Sequence, residues 1–384
     1  MILQAQAETQ ARKEESDMPN LRQNIVTEGV PQVFHCVSRC VRRAFLCGED
    51  AYSGRSYVHR RGWVRDRLRE LSEHFAVDVY AYAVMSNHLH VVLRTDAEWA
   101  GDWSAEEVVL RWRSIFPEVR DENGAPVLPE GEELSRQAGN AEVVEKWRGR
   151  LASVSWLMRC LNEKIARRAN KEDECKGRFW EGRFRCQRIE DAQALLACMV
   201  YVDLNPVRAG IAEGLAESDF TSVQDRVCAK FGREKVAKAP RRPNEKQREE
   251  LEKAREESGR DKWLASIERV RLGGVCRVAE MVEGKREVRK GENLAWKMGE
   301  DEYLKLVEAS GRCVRGDKKG ALGAEALPVL EGMRVEVEEW ERVMSGYGRL
   351  YWLVAGSAAS LAAAARAAGQ QWFWGSGRRR AAEV

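Results

Sequence analysis

Apolar and polar positions alternate with two different periods along the first part of the chain. Residues 33–39 (VFHCVSR) carry strand-forming side chains. Residues 57–75 follow a helical period instead: Val64, Leu68, Leu71 and Phe75 recur at intervals of 4, 3 and 4, one face of a helix. The period then returns to two. Residues 77–94 (VDVYAYAVMSNHLHVVLR) read as two strands joined by a turn at Met85-Ser86-Asn87. The predicted order is therefore strand, helix, strand, strand.

A helix is expected over 105–116, followed by a Glu-, Gly- and Pro-rich exposed excursion at 117–140. Residues 141–170 form a long helical stretch with a break near Ser153 or Ser155. Leu151, Val154, Met158, Leu161 and Ile165 make its apolar face, and Arg159, Lys164, Arg167 and Arg168 its basic one. Residues 178–189 (RFWEGRFRCQRI) alternate basic with aromatic side chains in an extended segment. A helix over 191–204, with Leu195, Met199 and Val202 on one side, stops at Asn205-Pro206, because proline disfavours helix in the residue before it. The segment 229–261 is dense in charge, carries Pro240 and Pro243, and reads as a linker with a helical piece at 246–257.

These shifts divide the chain into a flexible arm at 1–30, a first domain at 31–228, the charged linker at 229–261, and a mainly helical region at 262–384. Helices are expected there at 301–309, 324–331, 337–344 and 350–368. The glycine- and lysine-rich turn at 311–320 reads as a surface loop, and Arg378-Arg379-Arg380 as a short basic end.

Residues i and i+2 of a strand share a face. His88 and His90 therefore stand side by side, while Leu89 and Val91 point into a core. Two imidazoles on one rigid face can hold a divalent metal through neutral nitrogens. The plainer alternative is two polar residues on an amphipathic strand. What weighs for the metal is that two of only five histidines fall here, and that a helix downstream offers a chemical partner. Tyr201 and Asn205, four residues apart, project from one face of that helix. A tyrosine beside a metal has a natural task in attacking a phosphodiester, and Asn205 offers an amide oxygen as a third ligand. Read singly, Tyr201 is an ordinary half-buried helix residue and Asn205 a helix terminus.

Composition adds limits. The 384 residues carry a net charge of +3, too small to name a partner. The distribution says more: basic side chains outnumber acidic ones over 141–190, and Arg39 and Arg42 lie in a basic N-terminal stretch. Arg39, Arg42, Arg178, Arg183 and Arg185 are candidate phosphate contacts. Trp180 is a candidate stacking surface for an unpaired base, though Trp180 and Phe184 also fit a core. The ten cysteines include no C-x-x-C pair, and Cys36 and Cys40 beside His35 lack a zinc-knuckle spacing. Scattered thiols and a polar N-terminus point to a reducing cytoplasm. The Ala-rich run 350–368, interrupted by Arg366, is a poor membrane span. There is no Walker-type nucleotide motif, so no nucleotide cofactor is expected.

Together MSNHLHVVL, WEGRF and YVDLNPVRAG, in that order over about 33–226, resemble the IS200-like tyrosine transposase family. The likeness is closer to its REP-associated branch, within the wider HUH single-strand DNA endonucleases. The resemblance implies an α+β fold with a ferredoxin-like antiparallel sheet and packed helices. It places His88 and His90 on the metal-binding positions and Tyr201 on the nucleophile. Asn205 falls where related enzymes put a third ligand. Trp180 and Arg183 match a block for which no role carries over. The implied activity is a Mg²⁺- or Mn²⁺-dependent endonuclease and strand transferase. It would act on single-stranded or hairpin DNA through a 5′-phosphotyrosine, as a monomer or a homodimer, in the cytoplasm with the nucleoid. This chain is about twice as long as compact members, and everything after about 229 lies outside their core. The alternative is an inert or domesticated DNA- or RNA-binding module on the same fold. A metallohydrolase acting on another substrate lacks further ligands, since there is no H-E-x-x-H.

Overall fold

The computed structural model of the chain describes residues 25–27, 29–41, 46–49, 54–272, 281–282, 285–286, 294–314, 322–367 and 369. The first half follows the two periods of the sequence: β1 (Gln32–Arg39), α1 (Arg60–His74), β2 (Val77–Val84) and β3 (His88–Thr95). Then come α2 (Ala105–Ile115), α3 (Ala141–Leu151) and α4 (Val154–Glu172), with the helical stretch broken at Ser153, whose backbone is extended. β4 (Arg185–Ile189), α5 (Ala192–Asp203), α6 (Ser222–Ala237) and α7 (Glu245–Glu257) follow. The last part supplies α8 (Glu300–Val314), α9 (Val337–Leu350), β5 (Val354–Ala355) and α10 (Ala358–Ala367).

The fold is α+β, with a mixed five-stranded sheet in the order β2-β3-β1-β4-β5. The first four strands are antiparallel neighbours, and β5 runs parallel to β4. Both faces of the sheet are covered. On one, Phe34, Cys36, Leu89, Val91 and Leu93 pack with Val64 and Leu68 of α1 and Leu157, Leu161 and Ile165 of α4. On the other, Val33, Ala83, Val92 and Ile189 pack with Leu195, Met199 and Val202 of α5 and with Leu306, Trp340 and Tyr347 from α8 and α9. Burial on both faces explains why β2 and β3 read as near-continuous apolar runs. Arg60, fully buried at the start of α1, pairs with Glu172 at 2.5 Å and with Asp173, which ties α1 to the end of α4.

The structure departs from the sequence reading in three places, one being that residues 311–314, expected in a surface loop, complete α8. Most of the charged segment 229–261 belongs to a helical hairpin of α6 and α7. Its seam is made of small residues: a Cβ at Gly232 would stand 2.6 Å from the Ala254 carbonyl and the Ser258 nitrogen. Backbones that close need glycine and leave no large apolar side chain to betray the contact. Third, Val354 and Ala355, expected within one helix, form a strand. Arg188 N donates to Leu353 O at 2.8 Å and Glu190 N to Ala355 O at 2.9 Å, which satisfies the outer edge of β4. The last part of the chain thus shares the sheet of the first. The excursion 117–140 holds an exposed two-residue hairpin, Val119–Arg120 with Pro126–Val127, and a helix at Gly131–Ala138. Among the described residues, no helix is long and apolar enough to cross a membrane.

Candidate active site

Register places the histidines. Across β1 and β3, Arg39 stands opposite His88, Val37 opposite His90, and His35 opposite Val92. Across β1 and β4, His35 stands opposite Gln187 and Val37 opposite Arg185. Directly opposed residues share a face. His35, His88, His90, Arg185 and Gln187 are thus collected on the face that α5 covers.

The rings confirm close approach. His88 and His90 have centroids 4.8 Å apart, and His35 stacks on His90 at 5.1 Å. His90 Nδ1 and His35 Nε2 are hydrogen-bonded at 2.8 Å, and His88 Nδ1 is bonded to Asn87 Oδ1 at 2.6 Å. An amide oxygen only accepts, so His88 carries its proton on Nδ1 and presents a lone pair on Nε2. His90 Nε2 is buried and has no hydrogen-bond partner. All three imidazoles are held neutral. Burial lowers His35 and His88 to about 4, helped at His35 by Arg185 and at His88 by Arg39. Burial, with His35 and His88 adding to it, takes His90 well below the usual histidine range.

Tyr201 enters from α5. This helix is capped by Asp191, whose carboxylate accepts from Ala194 N at 2.9 Å, and it turns most of its surface inward. The Tyr201 ring lies 6.0 Å from His90 and 6.3 Å from His35, edge-on to both. Burial raises its pKa, while Arg208 and Arg185 draw it back. Arg208 lies over the Tyr201 ring at 5.2 Å and donates to the Met344 carbonyl. The ring also stacks on Tyr347 of α9, at 4.9 Å.

Asn205 is buried, but its amide nitrogen turns back on its own helix. It donates to the Tyr201 carbonyl at 3.0 Å and the Val202 carbonyl at 3.4 Å. Arg39 and Arg185 are exposed at the strand ends beside the histidines, and the Arg185 guanidinium lies 4.2 Å over Trp352. Arg178 and Arg183 are exposed. Arg42 lies outside the described residues. Trp180 and Phe184 are buried in the core on the α4 side of the sheet, and the Trp180 indole donates to Asn162 O at 2.9 Å. Trp180 and Arg183 both line a cavity of about 480 Å³, with Trp156 and Arg159.

Tyr347 and Trp352 escape a reading of the sequence, because nothing in their spacing links them to the histidines; Arg208 lies within the YVDLNPVRAG block, but spacing alone does not place it over the Tyr201 ring. His35 has a faint signal in its place on a neighbouring strand. Asp203 is a further surprise: fully buried, it accepts from Val223 N at 3.0 Å, from Tyr303 Oη at 2.5 Å and from Ser222.

Whether a metal fits can be judged from the donors. His88 presents an Nε2 lone pair, and on the same strand face His90 Nε2 is orphaned in the interior. That suits a divalent ion taking its remaining ligands from substrate and water. Among the described residues there is no cluster of three or more His, Cys, Asp or Glu able to hold a metal by itself.

No family model matches the chain, and no curated protein matches it. Among solved structures, the chain is similar to a REP-associated tyrosine transposase bound to a REP hairpin. The two share 13% identity over 52% of this chain and 81% of that one, with a TM-score of 0.30. So slight a likeness carries no weight in the reading of the site.

Proposed function

We propose that this chain is a metal-dependent single-strand DNA endonuclease and strand transferase of the HUH type, with Tyr201 as its nucleophile. The observation that carries the reading is a phenol 6.0 Å from a buried imidazole whose Nε2 is unpartnered, beside a second imidazole with Nε2 open. Two further features support it. The MSNHLHVVL and YVDLNPVRAG blocks carry these same residues. The order β2-β3-β1-β4, with α1 after β1 and α4 after β3, is that of a ferredoxin-like β-α-β-β-α-β core.

His88 and His90 would hold Mg²⁺ or Mn²⁺, with the Asn205 amide oxygen as a third ligand. When bound, the ion would polarise the phosphate and offset its developing charge. Tyr201 Oη forms a bond to phosphorus as the P–O3′ bond breaks. The phenolic proton leaves to solvent, and the departing oxygen takes up a proton to become a free 3′-OH. A 5′-phosphotyrosine remains. It conserves the phosphodiester bond energy, so attack by another 3′-OH rejoins a strand without a nucleotide cofactor. Arg208 over the Tyr201 ring favours the deprotonated oxygen against burial. Arg39 and Arg185 at the mouth would receive the backbone phosphates of single-stranded or hairpin DNA.

The test is cleavage of labelled hairpin DNA with Mg²⁺ or Mn²⁺. Products with a free 3′-OH are expected. Chelation, or His88→Ala, should reduce the rate by at least about 100-fold. Unchanged cleavage under chelation would remove the metal from the reading. DNA binding without cleavage in either metal would favour the inert module.

A further inference from the structure

An exposed tryptophan stands beside the mouth of the site, on a backbone fixed from within it. The end of α9 and the turn that follows carry Tyr347, Tyr351 and Trp352. Both tyrosines are buried, whereas Trp352 is 38% exposed, although indoles are highly buried on average. The Trp352 carbonyl accepts from Gln187 Nε2 at 3.2 Å, and the Leu353 carbonyl accepts from Arg188 N at 2.8 Å. Val354 then pairs with Arg188 in the sheet. Gln187 Oε1 accepts from the Tyr347 hydroxyl at 3.1 Å, and the Tyr347 ring stacks on Tyr201. The sheet and α9 thus hold the turn that carries Trp352 at a set place relative to the phenol.

Charge surrounds the ring on the side of the site. The Arg185 guanidinium lies 4.2 Å over the Trp352 ring. Arg185 stands opposite Val37, which stands opposite His90, and Arg39 follows two residues along β1, opposite His88. Arg39 and Arg185 are therefore diagonal neighbours on the face that carries the histidines. Both are exposed, and neither makes an ion pair with a described residue. A flat apolar ring beside two uncompensated cations matches the two parts of an unpaired nucleotide, the base and the phosphate. A guanidinium can serve both parts, stacking through its plane and donating to a phosphate through its edge. A base in a duplex is already stacked on its neighbours, so the arrangement favours a single strand.

We propose that Trp352, with Arg185 over it, is a stacking platform for an unpaired base beside the cleaved phosphate, and that Arg39 and Arg185 take the backbone phosphates around that base. The inference rests on the reading of the site as a single-strand DNA nuclease and extends it to a binding subsite. It makes the C-terminal segment, which carries none of the sequence motifs, part of the surface that holds substrate. Every base has a π-face, so the platform tolerates any of them and selects for single strand rather than for sequence.

The experiment measures binding of the full-length protein to labelled hairpin DNA with single-stranded flanks, by fluorescence anisotropy in EDTA, so that the readout does not depend on cleavage. Trp352→Ala should weaken binding about 5- to 100-fold, the usual range for losing one base–aromatic stack, with an unchanged urea midpoint. Trp352→Phe, which keeps an aromatic face, should bind within about fivefold of wild type. An abasic nucleotide moved along the flank should weaken wild type by a similar factor at one position, and Trp352→Ala hardly at all at that position. A flat abasic profile in wild type overturns the proposal by itself, even if Trp352→Ala does not fold, and so does a wild type that does not bind. Equal losses in Trp352→Ala and Trp352→Phe, or no loss in either, also overturn it. The two readings separate cleanly. The expected binding pattern in a protein that forms no covalent adduct with Mg²⁺ or Mn²⁺ keeps the platform and removes the nuclease. An adduct with a flat abasic profile keeps the nuclease and removes the platform.

Discussion

A side chain at position 348 would crowd the hydroxyl on which the proposed chemistry depends. A Cβ there would lie 3.3 Å from Tyr201 Oη and 3.9 Å from Cζ, tight enough to push the phenol. Gly348 is exposed on α9, so a larger side chain costs no core packing, and Val has at least as much helix propensity as Gly. Gly348→Val should therefore leave the unfolding free energy within about 1 kcal/mol of wild type, while slowing cleavage on the order of 10- to 100-fold through a misplaced nucleophile. Unchanged cleavage would show that Tyr201 needs no such clearance. At this scale the sequence is informative where a fixed period relates the residues. His88 and His90 share a face because strand side chains alternate, and the structure sets their rings 4.8 Å apart. Tyr201 and Tyr347 stack across 146 positions of sequence, and no local period spans that distance. Asn205 marks the opposite limit. Its position one helical turn after Tyr201 is plain in the sequence, but not that its amide nitrogen is held by its own helix at the Tyr201 carbonyl.

Elements are held in place by buried polar anchors that spacing does not reveal. The end of α5 is fixed by Asp203, which binds the start of α6 through Ser222 and Val223 and binds α8 through Tyr303. Burial pushes its carboxyl up to about 6, against the pull of Ser222, Tyr303 and Arg226. A folded-state value above the unfolded one, about 3.9, means that the native protein holds the extra proton between roughly pH 4 and 6. This group's contribution to stability is therefore present at acid pH and lost as pH rises through about 6. Asp203→Asn removes the titration. The stability of wild type relative to Asp203→Asn, from urea unfolding, should be greater at pH 4.5 than at pH 7 by about 1–2 kcal/mol. An equal or smaller difference at pH 4.5 would contradict the burial argument. The strands and α1, α4 and α5 are legible because each shows one strong period over its length. The α6–α7 hairpin is not, because its seam is built from Gly232 and the backbone of α7. β5 is not, because two residues are too few to carry a period and the partner edge of β4 decides their conformation.

On the scale of the whole molecule, the extra length is folded onto the site. β5 completes the sheet edge, and α9 stacks Tyr347 on Tyr201. Asp191 joins the two parts directly: one carboxylate oxygen caps α5 through Ala194 N, and the other accepts from Ser357 N at 2.6 Å. The sequence separates a charged linker and a helical region from the first domain, because composition changes there and contacts do not appear in composition. The weak net charge likewise hides the basic side chains at the mouth of the site, Arg39 and Arg185. The defining step of the proposed chemistry is a covalent bond between this protein and DNA. The direct measurement is a denaturing protein gel after incubation of labelled single-stranded hairpin DNA with Mn²⁺ or Mg²⁺. The label should migrate with the wild-type protein and vanish from it in Tyr201→Phe, with DNA binding on native gels retained in both. A labelled band that persists in Tyr201→Phe would place the nucleophile elsewhere, and no band in wild type with either metal would contradict the proposed chemistry.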